Sequence, residues 1–425
     1  KPTFDRMDCT KNESEDRTRL RIVLSFFNPL LNPDQPMSSG LLPGWFSRVR
    51  PLHVLLNWFF VAAACVCTTS CKQAPEDPAK YQFTETIRST EPQTPEQERD
   101  GFKLPEGFEI EVFASEPEIG KPINMSFDAQ GRLWVTQSAS YPIPGSGTTG
   151  DKITILEDTD GDGKADRFTD FCDTLNVPIG ILPTNSGAIA FSIPNIYEFN
   201  DLNGDGRADD ASAVIGTFGY VDTHGMVSNF IVGYDGWVHG CHGFTNKSVV
   251  AGSDGDSITL ISGNTFRFRL DGSRIEQTTF GQVNPFGLVY DELGYLYSTD
   301  SHSSPLYQLI QGGNYPHFGK EELMGFGPDM KSLENEATAL CGITQYADTH
   351  FPEEFRGNFF IGDVLKSIVH RYSWDFKGSS PVGRSEEDFI LSADPWFRPV
   401  NIKLGPDGAI YVADFYNAII GHYEV

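Results

Sequence analysis

One pattern recurs along this chain and narrows what it can fold into: an apolar strand, a polar turn ending in glycine, then a second strand rich in aliphatic and aromatic residues. The clear copies are Ile123–Ser138, Ser228–Phe244, Asn284–Ser301 and Val400–Phe415, each turning at Asp-x-x-Gly or a close relative such as Asp235-Gly236. Two weaker copies, Gly187–Asn200 and Gly357–Tyr372, fall between them. Such a turn between two alternating strands is a hairpin signature: glycine supplies the positive φ, and the alternation gives one face to a core. Hairpins spaced about 55 residues apart, with room for several strands each, read as the blades of a β-propeller. Six copies predict six blades in an all-β fold. A pair of β-sandwiches would not repeat one hairpin six times, and no helical periodicity runs beyond two turns. The 42 glycines and 27 prolines suit a fold made of turns.

Charge excludes one class of partner. The chain carries 58 acidic and 32 basic side chains, a formal charge of −26, which nucleic acid phosphates would repel. Clustered aspartates instead suit divalent cations. Two segments have that form: Asp158, Asp160, Asp162 and Asp166 around Gly163, and Asp201, Asn203, Asp205 and Asp209 around Gly206. Oxygen ligands at positions one, three, five and nine, with glycine at six for the sharp turn, make a calcium loop. Thr169 and Ser212 stand where the bidentate Glu would close the shell, so affinity is modest or another segment completes it. Ca2+ is expected here as a structural ion pinning inter-strand loops. The alternative is a pair of ion-free Asp/Gly turns.

The N-terminal part reads differently. Residues 1–36 are polar and charged, a disordered or non-native leader. Over 37–71, Arg48 and Arg50, an apolar run from Val54 to Val66, and Thr68-Thr69-Ser70-Cys71 follow in the order of a secretory signal. Ending at a cysteine resembles a bacterial lipoprotein signal, in which Cys71 is lipidated and fixes the chain to a membrane facing the periplasm. A plain anchor is the alternative, although the run falls short of the roughly 20 apolar residues needed to span. Residues 72–100, rich in Pro, Glu, Gln and Thr, read as a flexible linker to a propeller over 101–425. Beyond the leader, Cys172, Cys241 and Cys341 form no CxxC or CxxCH, so neither a zinc site nor covalent haem is encoded; one disulfide plus a thiol, or three thiols, remain open.

Propeller sites lie at a channel mouth, among loops flanking the repeated hairpins. His224 precedes the third hairpin, His239 and His242 bracket its second strand, His302 follows the fourth, and Arg398 precedes the last, which Asp414 closes. A lone histidine is more often a structural residue than a base, but four at similar blade positions point to one site. Histidine suits a general base and arginine a carboxylate anchor. No GxSxG elbow, P-loop or strand-linked GxGxxG is present.

The segments Asp158–Arg167, Asp222–Phe244, Asn284–Gln311, Phe351–Leu365 and Asp394–Val425 resemble the membrane-bound dehydrogenase propellers abundant in planctomycetes and related bacteria. More distantly, they are similar to the glucose/sorbosone dehydrogenases that use pyrroloquinoline quinone (PQQ). The resemblance spans residues 100–425. It implies a propeller outside the cytoplasmic membrane that oxidises a sugar or alcohol with PQQ and passes electrons to a cytochrome c. Ile419–Val425 looks like the middle of a family motif, which implies a natural chain continuing past Val425. By placement His224 matches the sugar dehydrogenases' base. Their cofactor-binding Arg before Asn-Pro-x-Gly-Leu has no counterpart in Gln282-Val283-Asn284-Pro285-Phe286-Gly287-Leu288. Arg398, with His242 and His302, is expected to take that role. Two other readings stay open: a non-catalytic calcium-stabilised propeller binding carbohydrate or protein, and a lactonase-like hydrolase using Asp222, Asp300 and Asp414 around a catalytic calcium.

Overall fold

Each Asp-Gly turn folds around its aspartate. In the hairpin after Ile123, Asp128 Oδ1 accepts the backbone N–H of Gln130 and Arg132, Gly131 takes φ 82°, and Oδ2 accepts the Trp134 indole N–H at 2.8 Å. Asp291 likewise accepts from the Leu293 and Tyr295 amides and the Tyr297 hydroxyl, and Asp407 from the Ala409 amide and the Tyr411 hydroxyl. The aromatic residue of the second strand is thus tied to the turn that produced it.

The computed structural model describes residues 18–24, 88, 90–145, 150–301, 304–315, 331–333 and 339–419. The signal-like segment 37–71, with Cys71, and residues 72–87 lie outside them. Among the described residues, strands form six sheets of four or more strands and a separate ribbon, Lys247–Ala251 with Ser257–Ile261. Blade 1 is Pro122–Phe127, Leu133–Gln137, Asp151–Glu157 and Arg167–Leu175; blade 2 is Gly180–Pro183, Gly187–Ser192, Asn195–Asn200 and Asp210–Ile215. Blade 3 is Ser228–Val232, Val238–His242, Asn264–Phe268 and Ile275–Gly281, with Asn314–Tyr315 outside; blade 4 is Pro285–Tyr290, Leu296–Asp300, Leu306–Leu309 and Lys331–Leu333. Blade 5 starts with Leu340–Gln345, Phe359–Asp363, Ile368–Lys377 and Ile390–Ser392 and adds Phe102–Lys103. Blade 6 joins Pro399–Leu404 and Ile410–Asp414 to Thr18–Leu24 and Phe108–Ala114.

The first strand of every blade touches the first strands of the blades before and after it, and blade 6 touches blade 1. That closed ring is a β-propeller, in which radial repetition leaves each blade only a short outer edge. Apolar side chains fill the wedges between blades: Phe191, Phe218, Phe230 and Phe266 share one cluster, Phe108, Phe351, Phe360 and Phe389 another.

Three parts of the sequence reading shift. The copies at 187 and 357 lie on second and third strands; the first strands of those blades, Gly180–Pro183 and Leu340–Gln345, lack the Asp-Gly turn. Within the expected leader, Thr18–Leu24 is a strand, parallel to both neighbours with Ile22 opposite Val412 and Val112. Its sequence alternates Arg19 and Arg21 with Leu20 and Ile22, both fully buried, which is the period of a half-buried strand. Within the expected linker, Pro95–Gly101 is a helix (α1), started by a capping box between Thr94 and Gln97 with Pro95 in its first turn. None of the described helices is long and apolar enough to cross a membrane.

Replacing Ile22 with Ala should cost about 2–5 kcal/mol, the usual penalty for a cavity at a fully buried aliphatic. Urea unfolding of the full chain would show it; an unchanged midpoint would place Thr18–Leu24 outside the sheet.

Candidate functional site

Strand direction sets which residues meet. Each blade's first strand leaves one end of the ring and its second returns, so loops before first strands and after second strands share that end, the mouth. Lys121, Val177, Gln282 and Ala339 take left-handed backbone just before first strands, with φ between 48° and 70°. Register shifts follow inside the first strands of blades 1, 3, 4, 5 and 6. In blades 1, 3 and 6 this brings together Asn124, Asn229 and Asn401, all buried. Asn229 Oδ1 accepts from Asn124 Nδ2 at 3.2 Å and from Asn401 Nδ2 at 3.5 Å, bridging blades across the axis.

Near this bridge sits a histidine–carboxylate pair. Asp222 caps a single 3-10 turn, Thr223–Gly225: its Oδ1 accepts the His224 amide and lies 3.0 Å from His224 Nδ1. Asn246 holds the turn by accepting from the Asp222 amide and donating to the carbonyls of Asp222 and Gly225, and Thr223 donates to Pro142 O at 2.7 Å. Gly225 is required by close approach, since a Cβ there would lie 2.7 Å from the Phe244 amide. With Asp222 ionised, the bond puts the ring proton on Nδ1, so the basic lone pair is that of Nε2. Asp222 Oδ2 is buried with no hydrogen-bond partner.

Aromatic rings continue the site. Tyr141 packs edge-on against His224 at 5.7 Å and against Phe415 at 5.8 Å. Lys121 Nζ lies 5.0 Å from the Phe415 ring and donates to Phe415 O, Tyr416 O and Asn417 Oδ1; burial lowers its amine to about 8. The sequence reading missed Lys121, Tyr141 and Phe415, which lie at the same blade-end positions as the residues it chose. Trp134 and Trp396 are buried, and Trp237 lies in the first hairpin turn of blade 3, away from the mouth.

Arg398 stands before the last first strand, as expected, but buried. Its amide donates to Asp414 Oδ1 at 2.6 Å, and Nη1 donates to Ser367 Oγ and Phe397 O. Its Nε and Nη2 have no acceptor, and burial together with Arg88 lowers the group to about 10. Glu98 of α1 reaches the same place. Glu98 Oε1 and Asp414 Oδ2 are both buried and accept no hydrogen bond. Burial, then the neighbouring Asp414, pushes Glu98 well above the usual carboxylate range, and burial raises Asp414 to about 6.

The other expected residues do not gather. His242 is fully buried, Nδ1 against Ser262 O at 2.9 Å and Nε2 against Ser248 Oγ at 2.8 Å, so it braces blade 3 rather than facing a cofactor. His239 lies at the far end of its strand, with Asp235 and Tyr290. His302 lies outside the described residues. Asp300 accepts the Val283 amide at 2.6 Å as Asp414 accepts that of Arg398, tying a second strand's end to the loop before its first. Asp222, Asp300 and Asp414 are not among the described carboxylates whose oxygens gather within 4.8 Å of one another. Cys172, Cys241 and Cys341 are free thiols.

Both acidic loops join third to fourth strands, which puts them at the end of the ring opposite the mouth. Oxygens of Asp158, Asp160 and Asp162 lie within 4.8 Å of one another, while Asp166 accepts from Thr159. The second loop repeats the turn: Asp201 accepts the amides of Gly204 and Gly206, Asn203 that of Asp205, Asp205 that of Arg207, and Asp209 that of Leu202.

A closed ring of antiparallel blades is the β-propeller fold. The chain is similar to the holo form of the pyranose dehydrogenase PQQ domain from Coprinopsis cinerea, at 12% identity and a TM-score of 0.53 over 75% of this chain and 95% of that one. It is also similar to a glucose-dehydrogenase-type oxidoreductase from Thermus thermophilus (15% identity, TM-score 0.48, 69% and 90% covered). A third is the PQQ-bound aldose sugar dehydrogenase from Streptomyces coelicolor (14%, TM-score 0.46, 71% and 88%). The first of these establishes a shared fold; identities this low carry no activity across. No curated protein matches in sequence. Residues 94–425 match the family described as "Domain of unknown function (DUF7133)", and the chain belongs to that family.

The two raised carboxyls of Glu98 and Asp414 set a pH dependence. The folded carboxyls hold protons that the unfolded chain releases, so stability falls as pH rises from the ordinary carboxylate range, near 4.5, through about 6 and above. Glu98→Gln should melt higher than the parent at pH 8, by on the order of 1 kcal/mol, and no higher at pH 4.5. Calorimetric melting across that range tests this; an equally steep decline in the variant would rule out the pair.

Proposed function

We propose that this propeller is a PQQ-type oxidoreductase that oxidises a hydroxyl of a sugar or other alcohol, with His224 as general base. The observation that carries the reading is the Asp222–His224 pair, 3.0 Å apart on a braced turn in the channel mouth. An alcohol loses its hydroxyl proton only to a base held in reach, and Asp222 stabilises the imidazolium that forms. The rings of Tyr141 and Phe415 offer apolar faces for a sugar or for a planar cofactor.

The residues present are compatible with PQQ. Two buried N–H groups of Arg398 lack an acceptor, as expected of a side chain that awaits an anionic ligand, and the Lys121 ammonium adds positive charge nearby. Arg398 would hold a carboxylate of the cofactor; when bound, the cofactor supplies a two-electron acceptor. The chain's own part is to position the hydroxyl, take its proton at His224 Nε2, and line the pocket with rings. A membrane-held enzyme in the cell envelope, lipidated at Cys71 and delivering electrons to a cytochrome c, is the cellular setting that fits this chemistry. Calcium belongs to the same reading as a structural ion in the two loops opposite the mouth, where it cannot touch a cofactor.

In the PQQ-loaded chain assayed by dye reduction with aldoses, His224→Ala should lower turnover about 10²- to 10⁴-fold. Asp222→Asn should fall between that variant and the parent; full activity in His224→Ala would remove the base. Calcium should raise the melting temperature of the parent and raise it less after Asp160→Asn with Asp205→Asn. An equal response in both would mean that the loops bind no ion.

A further inference from the structure

On the side away from the mouth, the first strands of blades 3 to 6 end around a cavity of about 270 Å3 whose lining includes Ile231, Tyr234, Leu288, Tyr290, Ile343 and Lys403. Aliphatic side chains form most of the wall. The Tyr234 and Tyr290 rings stand 5.4 Å apart at 70°, with Tyr234 76% exposed at the rim. Lys403 is the one ammonium in the lining.

The charged groups around the cavity are already paired with one another. Behind Tyr290, whose hydroxyl lies 3.1 Å from His239 Nε2, His239 and Arg267 both bond Asp235. On the strand paired with that of Lys403, the Tyr411 hydroxyl is shared by Arg21 and Asp407. No described carboxylate forms an ion pair with Lys403, and loss of solvent is what lowers its amine, to about 8. An ammonium held in an apolar pocket without a counter-ion is costly, and the cost falls when an anion enters with it. Apolar walls with a single fixed charge select a ligand of matching make-up.

We propose that this cavity is a second ligand site for a small organic acid, its carboxylate paired with Lys403 Nζ and its aromatic or aliphatic body packed against Leu288, Tyr234 and Tyr290. It is separate from the mouth and does not depend on the oxidoreductase reading.

Calorimetric titration of phenylbutyrate into the full chain at pH 7, beside its neutral amide, tests the site. The acid should bind and the amide bind much more weakly. Lys403→Met should weaken the acid at least about tenfold, the loss of one charge-assisted contact. That variant removes an uncompensated charge, so its fold should persist. Tyr234→Ala, a change at the exposed rim, should weaken the acid several-fold without altering stability. Raising the pH to 9.5 should weaken binding to the parent and leave Lys403→Met unchanged. No binding of the acid, equal binding of acid and amide, or affinity retained in both variants would overturn the proposal.

Discussion

The ring exists because both ends of the described chain meet in one blade. Blade 6 takes its inner hairpin from residues 399–414 and its outer strands from Thr18–Leu24 and Phe108–Ala114, and blade 5 takes Phe102–Lys103 as its outermost strand. Without that union the last hairpin would expose a strand edge, and the wedge of Phe108, Phe351, Phe360 and Phe389 would lose a wall. Bringing distant segments together costs loop entropy that grows only slowly with length.

Closure also decides what the mouth contains. Because Phe108–Ala114 is locked into blade 6, the preceding helix α1 lies where Glu98 meets Asp414. This puts two buried carboxyls beside Arg398, the side chain expected to hold the cofactor. The same strand alternation that builds the ring sorts its two ends. His224, Tyr141, Phe415 and Lys121 gather at one, while the acidic loops and the Lys403 cavity gather at the other. The acidic loops of blades 1 and 2 lie at the end of the ring opposite His224.

How much was legible depended on whether a residue's role is local. The Asp-Gly hairpins at Ile123, Ser228, Asn284 and Val400 were readable because each aspartate bonds amides within a few residues of itself. The pairing of Asp222 with His224 was within reach for the same reason, at a separation of two residues. His242 misled because its neighbours Ser248 and Ser262 satisfy both ring nitrogens, and nothing in its immediate sequence records this. Lys121 and Tyr141 went unnoticed because their partners, Phe415 to Asn417 and His224, come from other blades. Thr18–Leu24 carried a strand's alternation, but one short strand in a polar stretch gives no hint of what it will pair with.

The sequence by itself determined the all-β repeat, the turn chemistry, the acidic loops and the placement of His224 beside Asp222, since all of these rest on contacts between near neighbours. Tertiary structure alone decided that Asp300 and Asp414 each tie a loop to a strand, and that burial beside Asp414 pushes the Glu98 carboxyl up. It also decided that Lys403 lines an apolar cavity with no ion-pair partner among the described carboxylates. Burial and pairing across blades set those outcomes, and both depend on which distant segments the closed ring brings together.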